Sequence, residues 1–227
     1  MWIAVLGSVK LFPNLEAAIK GVFNRVLTKL ELGNNSIGDN GAKAIAEALK
    51  VNAVVTELGL NANNIGPEGA IAIAEALKVN AVLTTLRLDL NKIGAEGAKA
   101  IAEALKVNAV VTTLGLLYNN IGPEGAIAIA EALKVNAVLT SLDVGHNNLT
   151  EQAALGIVRV ARQQDKITNL GLGGCGIGPI GAKEIADYIQ FTAVLTKLNL
   201  QVNDLGDAGK KAVRKAVKNR SGFVLLL

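Results

Sequence analysis

From Leu83 to Val110 the chain reads LTTLRLDLNKIGAEGAKAIAEALKVNAV, and its apolar positions change period halfway. Leu86 and Leu88 alternate with Thr85, Arg87 and Asp89, the period of two that predicts a short strand with one buried side. From Glu96 to Lys106 the apolar set becomes Ala98, Ile101, Ala102 and Leu105, one stripe of a helix. Gly94 and Gly97 punctuate the turn between the two halves. Pro67 and Pro123 fall at the helix start in two other units, where proline is well tolerated. Glu103 and Lys106 lie one helical turn apart on the outer side, a favourable but small pairing.

The same pattern recurs along the chain at a fixed interval. Leu30, Leu58, Leu86, Leu114, Leu142, Leu170 and Leu198 form one column, and Leu32, Leu60, Leu88, Leu116, Val144, Leu172 and Leu200 a second. A third runs Asn35, Asn63, Asn91, Asn119, Asn147, Cys175, Asn203. Seven units fill residues 27–222. A degenerate unit over 1–26 precedes them, with Ile3 and Val5 in strand columns and Ala18, Ile19 and Val22 in helix columns; it reads as an N-terminal cap. Residues 223–227 begin a truncated eighth unit, with Leu226 aligned to Leu198.

These columns spell L-x-x-L-x-L-x-x-N/C-x-L. With a full helix in each unit, the chain resembles the ribonuclease-inhibitor class of leucine-rich repeats and is most similar to the recognition arrays of NOD-like receptors. Ribonuclease inhibitor itself and the Ran GTPase-activating protein belong to that class. The resemblance implies an α/β solenoid, a right-handed horseshoe with a parallel sheet on the concave face and helices outside. Stacking geometry agrees: strands repeat at about 4.8 Å and helices at about 10 Å, so the stack bends toward the strands. Each ladder asparagine then sits in the turn after its strand, paired with backbone groups there.

Composition narrows the function. The 227 residues are 51% apolar but only 3% aromatic, so the core is built of Leu, Ile, Val and Ala. A net charge of +4 is too mild to call for nucleic acid. One cysteine excludes an internal disulfide framework and points to a reducing, cytoplasmic setting. Met1–Leu6 is too short and lacks the basic start of a signal peptide, and no apolar run suits a membrane helix.

Chemistry-bearing motifs are few. Gly171-Leu172-Gly173-Gly174-Cys175-Gly176 has the form of a dinucleotide fingerprint. Leu172 and Cys175 nevertheless belong to repeat columns, so no cofactor is expected. Cys175 as nucleophile needs a base, and the only histidine, His146, faces away from it in this register. One Cys and one His make no ordinary zinc site. The Glu47, Glu75, Glu103, Glu131 and Lys50, Lys78, Lys106, Lys134 columns read as a solvated outer face, and the basic tail Lys210 to Arg220 as a capping helix. The chain is not read as an enzyme.

The units differ where a partner would touch. Residues 55–82 and 111–138 differ only at Glu57/Thr113, Asn61/Leu117 and Ala62/Tyr118, all concave columns. Random placement would give that on the order of once in eight hundred trials. Residues 27–54 and 83–110 differ at all four concave columns. The expectation is therefore a protein-binding module whose patch is Arg87, Asp89, Leu90, Leu117, Tyr118, Asp143 and His146. Two other readings stay open: an accessory GTPase activator of the Ran-activator kind, and an engineered or structural array without a natural ligand. Residues 223–227 are an uncovered apolar edge expected to self-associate or continue in a longer parent.

Overall fold

The computed structural model describes residues 27–227; the degenerate unit expected over 1–26 lies outside them. Eight strands of three residues alternate with seven helices. The strands are β1 (Lys29–Glu31), β2 (Glu57–Gly59), β3 (Thr85–Arg87), β4 (Thr113–Gly115), β5 (Ser141–Asp143), β6 (Asn169–Gly171), β7 (Lys197–Asn199) and β8 (Val224–Leu226). The helices are α1 (Gly38–Val51), α2 (Pro67–Leu77), α3 (Gly94–Val107), α4 (Gly122–Val135), α5 (Glu151–Gln164), α6 (Pro179–Phe191) and α7 (Gly206–Val217). The strands form one parallel sheet in chain order, with Leu30, Leu58, Leu86 and Leu114 in register. This is the leucine-rich-repeat solenoid.

The leucine columns and the inner helix positions Ala98, Ile101, Ala102 and Leu105 are completely buried. Neighbouring helices close tightly because a glycine of one meets an alanine of the previous one. A Cβ on Gly97 would lie 2.8 Å from the Ala70 Cβ, and one on Gly125 would lie 2.9 Å from the Ala98 Cβ.

Two amide ladders, not one, hold the turns. In the first, Asn63 Nδ2 donates to the Leu32 carbonyl at 2.8 Å, while its Oδ1 accepts the Asn35 N–H at 2.8 Å. The second joins Asn80, Asn108 and Asn136. Asn80 Nδ2 donates at 2.8 Å to the Leu49 carbonyl at the end of α1, and its Oδ1 accepts the Leu83 N–H at 2.8 Å. It thus satisfies a helix-end carbonyl and the entry to the next strand together. Arg220 takes over this position at the last turn, donating to the carbonyls of Ile189 and Leu195 while its guanidinium lies over Phe223.

That turn changes the last register. Leu198 pairs with Leu225, not with Leu226 as the 28-residue interval implies. The connection from α7 turns at Gly222, whose φ of 75° is left-handed, and Arg220 tightens it, so β8 arrives one residue early.

Candidate functional site

Three residues after each of β1 to β7 the backbone turns left-handed. The column is Asn34, Ala62, Leu90, Tyr118, His146, Gly174 and Val202, with φ between 53° and 60°. Non-glycine residues pay roughly 1–2 kcal/mol to sit there. Because this residue turns back, its side chain joins the concave side beside that of the preceding residue, and strict alternation ends. That is why Asp89 and Leu90, or Leu117 and Tyr118, serve one surface.

Several side chains on this surface lean over a glycine of the next unit, while Asn61 leans back over Gly33 of the unit before. A Cβ on Gly115 would lie 2.7 Å from both carboxylate oxygens of Asp89. Leu117 covers Gly145 in the same way, and the Asp143 carboxylate covers Gly171. His146 lies over Gly174, where a Cβ would be 2.5 Å from Nδ1. The sequence signal for this packing is a glycine one unit after a large residue, as Gly145 after Leu117, Gly171 after Asp143 and Gly174 after His146.

The structure gathers most of the expected patch. The rings of Tyr118 and His146 stack with centroids 4.3 Å apart and planes 14° from parallel. Tyr118 is 46% exposed and Leu90 beside it 52%. Asp89 accepts the Leu117 N–H at 2.9 Å, and Asp143 accepts the Gly145 N–H at 2.9 Å. Burial pushes the Asp89 carboxyl up from the ordinary carboxylate range; the Leu117 N–H opposes this and the nearby Asp143 charge adds to it. Neither carboxylate has a cation within ion-pair distance among the described residues.

Arg87 is drawn the other way. Its guanidinium reaches Glu31 at 3.4 Å across Gly59, and Lys29 joins Glu31 and Glu57 at 3.3 and 3.0 Å. The amino-terminal part of the face is thus a closed charge network, and the Tyr118–His146 stack, after β4 and β5, lies outside it.

Cys175 is fully buried, with Sγ 3.5 Å from the Gly173 carbonyl and 3.8 Å from that of Val144. Burial, then the Asp143 charge, pushes the thiol up to about 12. The Cys175 thiol is turned to those backbone carbonyls, and no hydrogen bond joins it to the His146 ring among the described residues, while that ring stacks on Tyr118. Among the described residues no three His, Cys, Asp or Glu side chains gather as a metal site. No described helix is long and apolar enough to cross a membrane.

No curated protein matches this chain. Among solved structures it is similar to Leiomodin-1 Actin-Binding Site 2, at 26% identity and a TM-score of 0.55, covering 66% of this chain and 86% of that one. It also aligns with the tropomodulin C-terminal domain of Caenorhabditis elegans, at 11% identity and a TM-score of 0.49, over 91% of this chain and 99% of that one. The Leucine Rich repeat pattern matches residues 23–46, 51–74, 79–102, 107–130, 135–157 and 193–213. With more than half its length matched, on a solenoid whose columns follow the same pattern, the chain belongs to the leucine-rich-repeat family.

Proposed function

We propose that the chain is a protein-recognition module of the ribonuclease-inhibitor type, binding a partner at the middle of its concave face. The observation that carries this is the Tyr118–His146 stack, held at left-handed positions beside two carboxylates without a cation. The left-handed turn recurs in every unit, but a bulky Tyr118 at a position that Asn34 and Gly174 fill at less cost supports a use for its side chain. An aromatic anchor, apolar neighbours Leu90 and Leu117, and a charged rim are the usual make-up of an interface hot spot.

Actin is the first partner to test, since the leiomodin segment that this chain resembles at 26% identity is an actin-binding site. The GTPase-activator reading has no residue of this chain assigned to it. The test is binding of purified actin to immobilised protein, followed by quantitative affinity capture from the source cell. Tyr118→Ala and Glu103→Ala serve as matched controls in both arms. Capture of the same protein by all three would refute the concave assignment.

A further inference from the structure

Helix α7 departs from the others on the face that a following helix would cover. Ala42, Ala70, Ala98, Ala126, Ala154 and Ala182 form one buried column. Gly209 of α7 closes on the last of them, since its Cβ would lie 2.7 Å from the Ala182 Cβ. In α7 itself that column holds Lys210. A second buried column, Ala102, Ala130, Val158 and Ala186, continues as Arg214. Another helix of the array closing on α7 would bury both charges without partners, which is costly.

Elsewhere on the helical face the lysines are paired. Lys43, Lys50, Lys99, Lys106 and Lys134, all those of α1 to α4, each touch a glutamate. Lys210, Lys211, Arg214 and Lys215 of α7, and Lys218 after it, have no carboxylate in ion-pair distance among the described residues. Asp207, in the first turn, is the one carboxylate that α7 carries. Capping a solenoid needs a polar end, not charges of a single sign. Unpaired cations gathered on one helix attract acidic groups.

The sheet ends beside these cations. Edge strands are usually blunted by a charge, a proline or a bulge, whereas β8 reads Val224-Leu225-Leu226. The Val224 N–H donates to the Thr196 carbonyl and the Leu226 carbonyl accepts the Leu200 N–H, both at 2.8 Å. Leu225 between them therefore turns its own N–H and carbonyl to the open side. Leu225, Leu227 and Val217 pack on the core yet are only partly buried, and Val224 is 46% exposed.

We infer that this end of the solenoid docks an extended, acidic segment of another protein, added beside β8 as a further strand, with apolar side chains over Leu225 and Leu227 and carboxylates toward Lys210 and Arg214. The open backbone groups favour a strand, which alone can satisfy them in series. The cations favour an acidic occupant over a basic one. A second copy fits poorly, because two-fold pairing of β8 with itself sets like cations face to face. The surface is separate from the concave site and stands without it.

The test titrates the full chain with a short peptide alternating Val and Glu, and with its Val/Lys counterpart. The glutamate peptide is expected to saturate and to slow hydrogen exchange at the Leu225 amide; the lysine peptide should do neither. Lys210→Gln with Arg214→Gln should weaken the glutamate peptide by roughly tenfold with the melting temperature kept. Lys210→Glu with Arg214→Glu should transfer the preference to the lysine peptide. No saturation, equal binding of the two peptides, unchanged exchange at Leu225, or indifference to the glutamine pair would each overturn the inference. A dimer in sedimentation that protects Leu225 would assign the edge to a second copy. Binding to phosphatidylserine vesicles in place of the peptide would assign the cations to a membrane. Both results contradict it.

Discussion

Asp39 Oδ1 accepts the Gly66 N–H at 2.7 Å and the Gly69 N–H at 2.9 Å, so one unit's carboxylate caps the next unit's helix. Gly66 is extended there, at φ −94°. Its counterpart Gly122 is left-handed at φ 61° and donates to the Asn147 carbonyl at 3.0 Å. Both glycines lie in the same local sequence, N-N-I-G-P-E-G-A. The difference comes from the unit before: Asp39 in one case, Ala95 in the other. Glu151 repeats the Asp39 arrangement on Gly178 and Gly181, and Gly178 is again extended.

Ala95→Asp is therefore expected to turn Gly122 extended and stabilise the array by about 1 kcal/mol, the usual worth of an added helix cap. Asp39→Ala should cost a similar amount. Urea unfolding midpoints of the two variants check this. Destabilisation by Ala95→Asp would show that Gly122 is fixed by its own unit.

Such coupling marks the boundary of what the sequence made legible. The Leu columns and the period switch in residues 83–110 located strands, helices and core, because burial acts on every unit alike. Three features did not follow. Gly66 and Gly122 depend on a residue one unit away, outside any local window. The Asn80, Asn108 and Asn136 ladder was visible as a column but drew no reading, because its partners are carbonyls of the preceding helix. The groove of about 290 Å³ between α4 and α5 lies where Ala153 and Val160 replace the Gly125 and Ala132 of the unit before, small size differences that a pattern of apolar against polar does not register. Arg87 turns to Glu31 across Gly59, a contact spanning two units that the column pattern does not predict.

The left-handed column sets a trade between stability and surface. Leu90, at φ 59° and half exposed, should become more stable by roughly 1 kcal/mol as Leu90→Asn, since asparagine tolerates that conformation and Asn34 already occupies the column. Thermal unfolding measures it. A clear loss would mean that Leu90 packs against the fold more than its exposure indicates.

The charge of Asp89 works against folding. Its carboxyl is raised in the folded chain by burial, so ionisation favours the unfolded state: its protonated form fits best, and stability is lost as pH rises through and above the ordinary carboxylate range near 4. Asp89→Asn keeps an acceptor for the Leu117 N–H and should match or exceed the parent in stability at neutral pH while weakening partner binding. Unfolding at pH 4 and pH 7 with both proteins checks the sign. A parent that gains stability over that interval relative to Asp89→Asn would contradict it.

Cys175 interrupts the first ladder, offering sulfur where its neighbours offer an amide oxygen. Cys175→Asn should stabilise by about 1 kcal/mol by restoring an acceptor for the Asn147 N–H. With the thiol raised to about 12, its contribution to stability is full below its ordinary value of 9.0 and is lost as pH climbs from there through about 12. Native protein should react with a thiol reagent only as fast as it opens. Rapid labelling under native conditions would contradict the buried assignment.

The central claim is that binding resides at Tyr118 on the concave face, and the most direct measurement compares dissociation constants for one partner across Tyr118→Ala, Glu103→Ala and Lys106→Ala. Glu103 and Lys106 pair with each other at 2.6 Å on the outer face and should leave affinity unchanged. Tyr118→Ala should cost about 2 kcal/mol or more of binding, near thirty-fold in affinity, with little effect on folding. A partner whose affinity falls with the outer-face variants and ignores Tyr118→Ala would contradict the account.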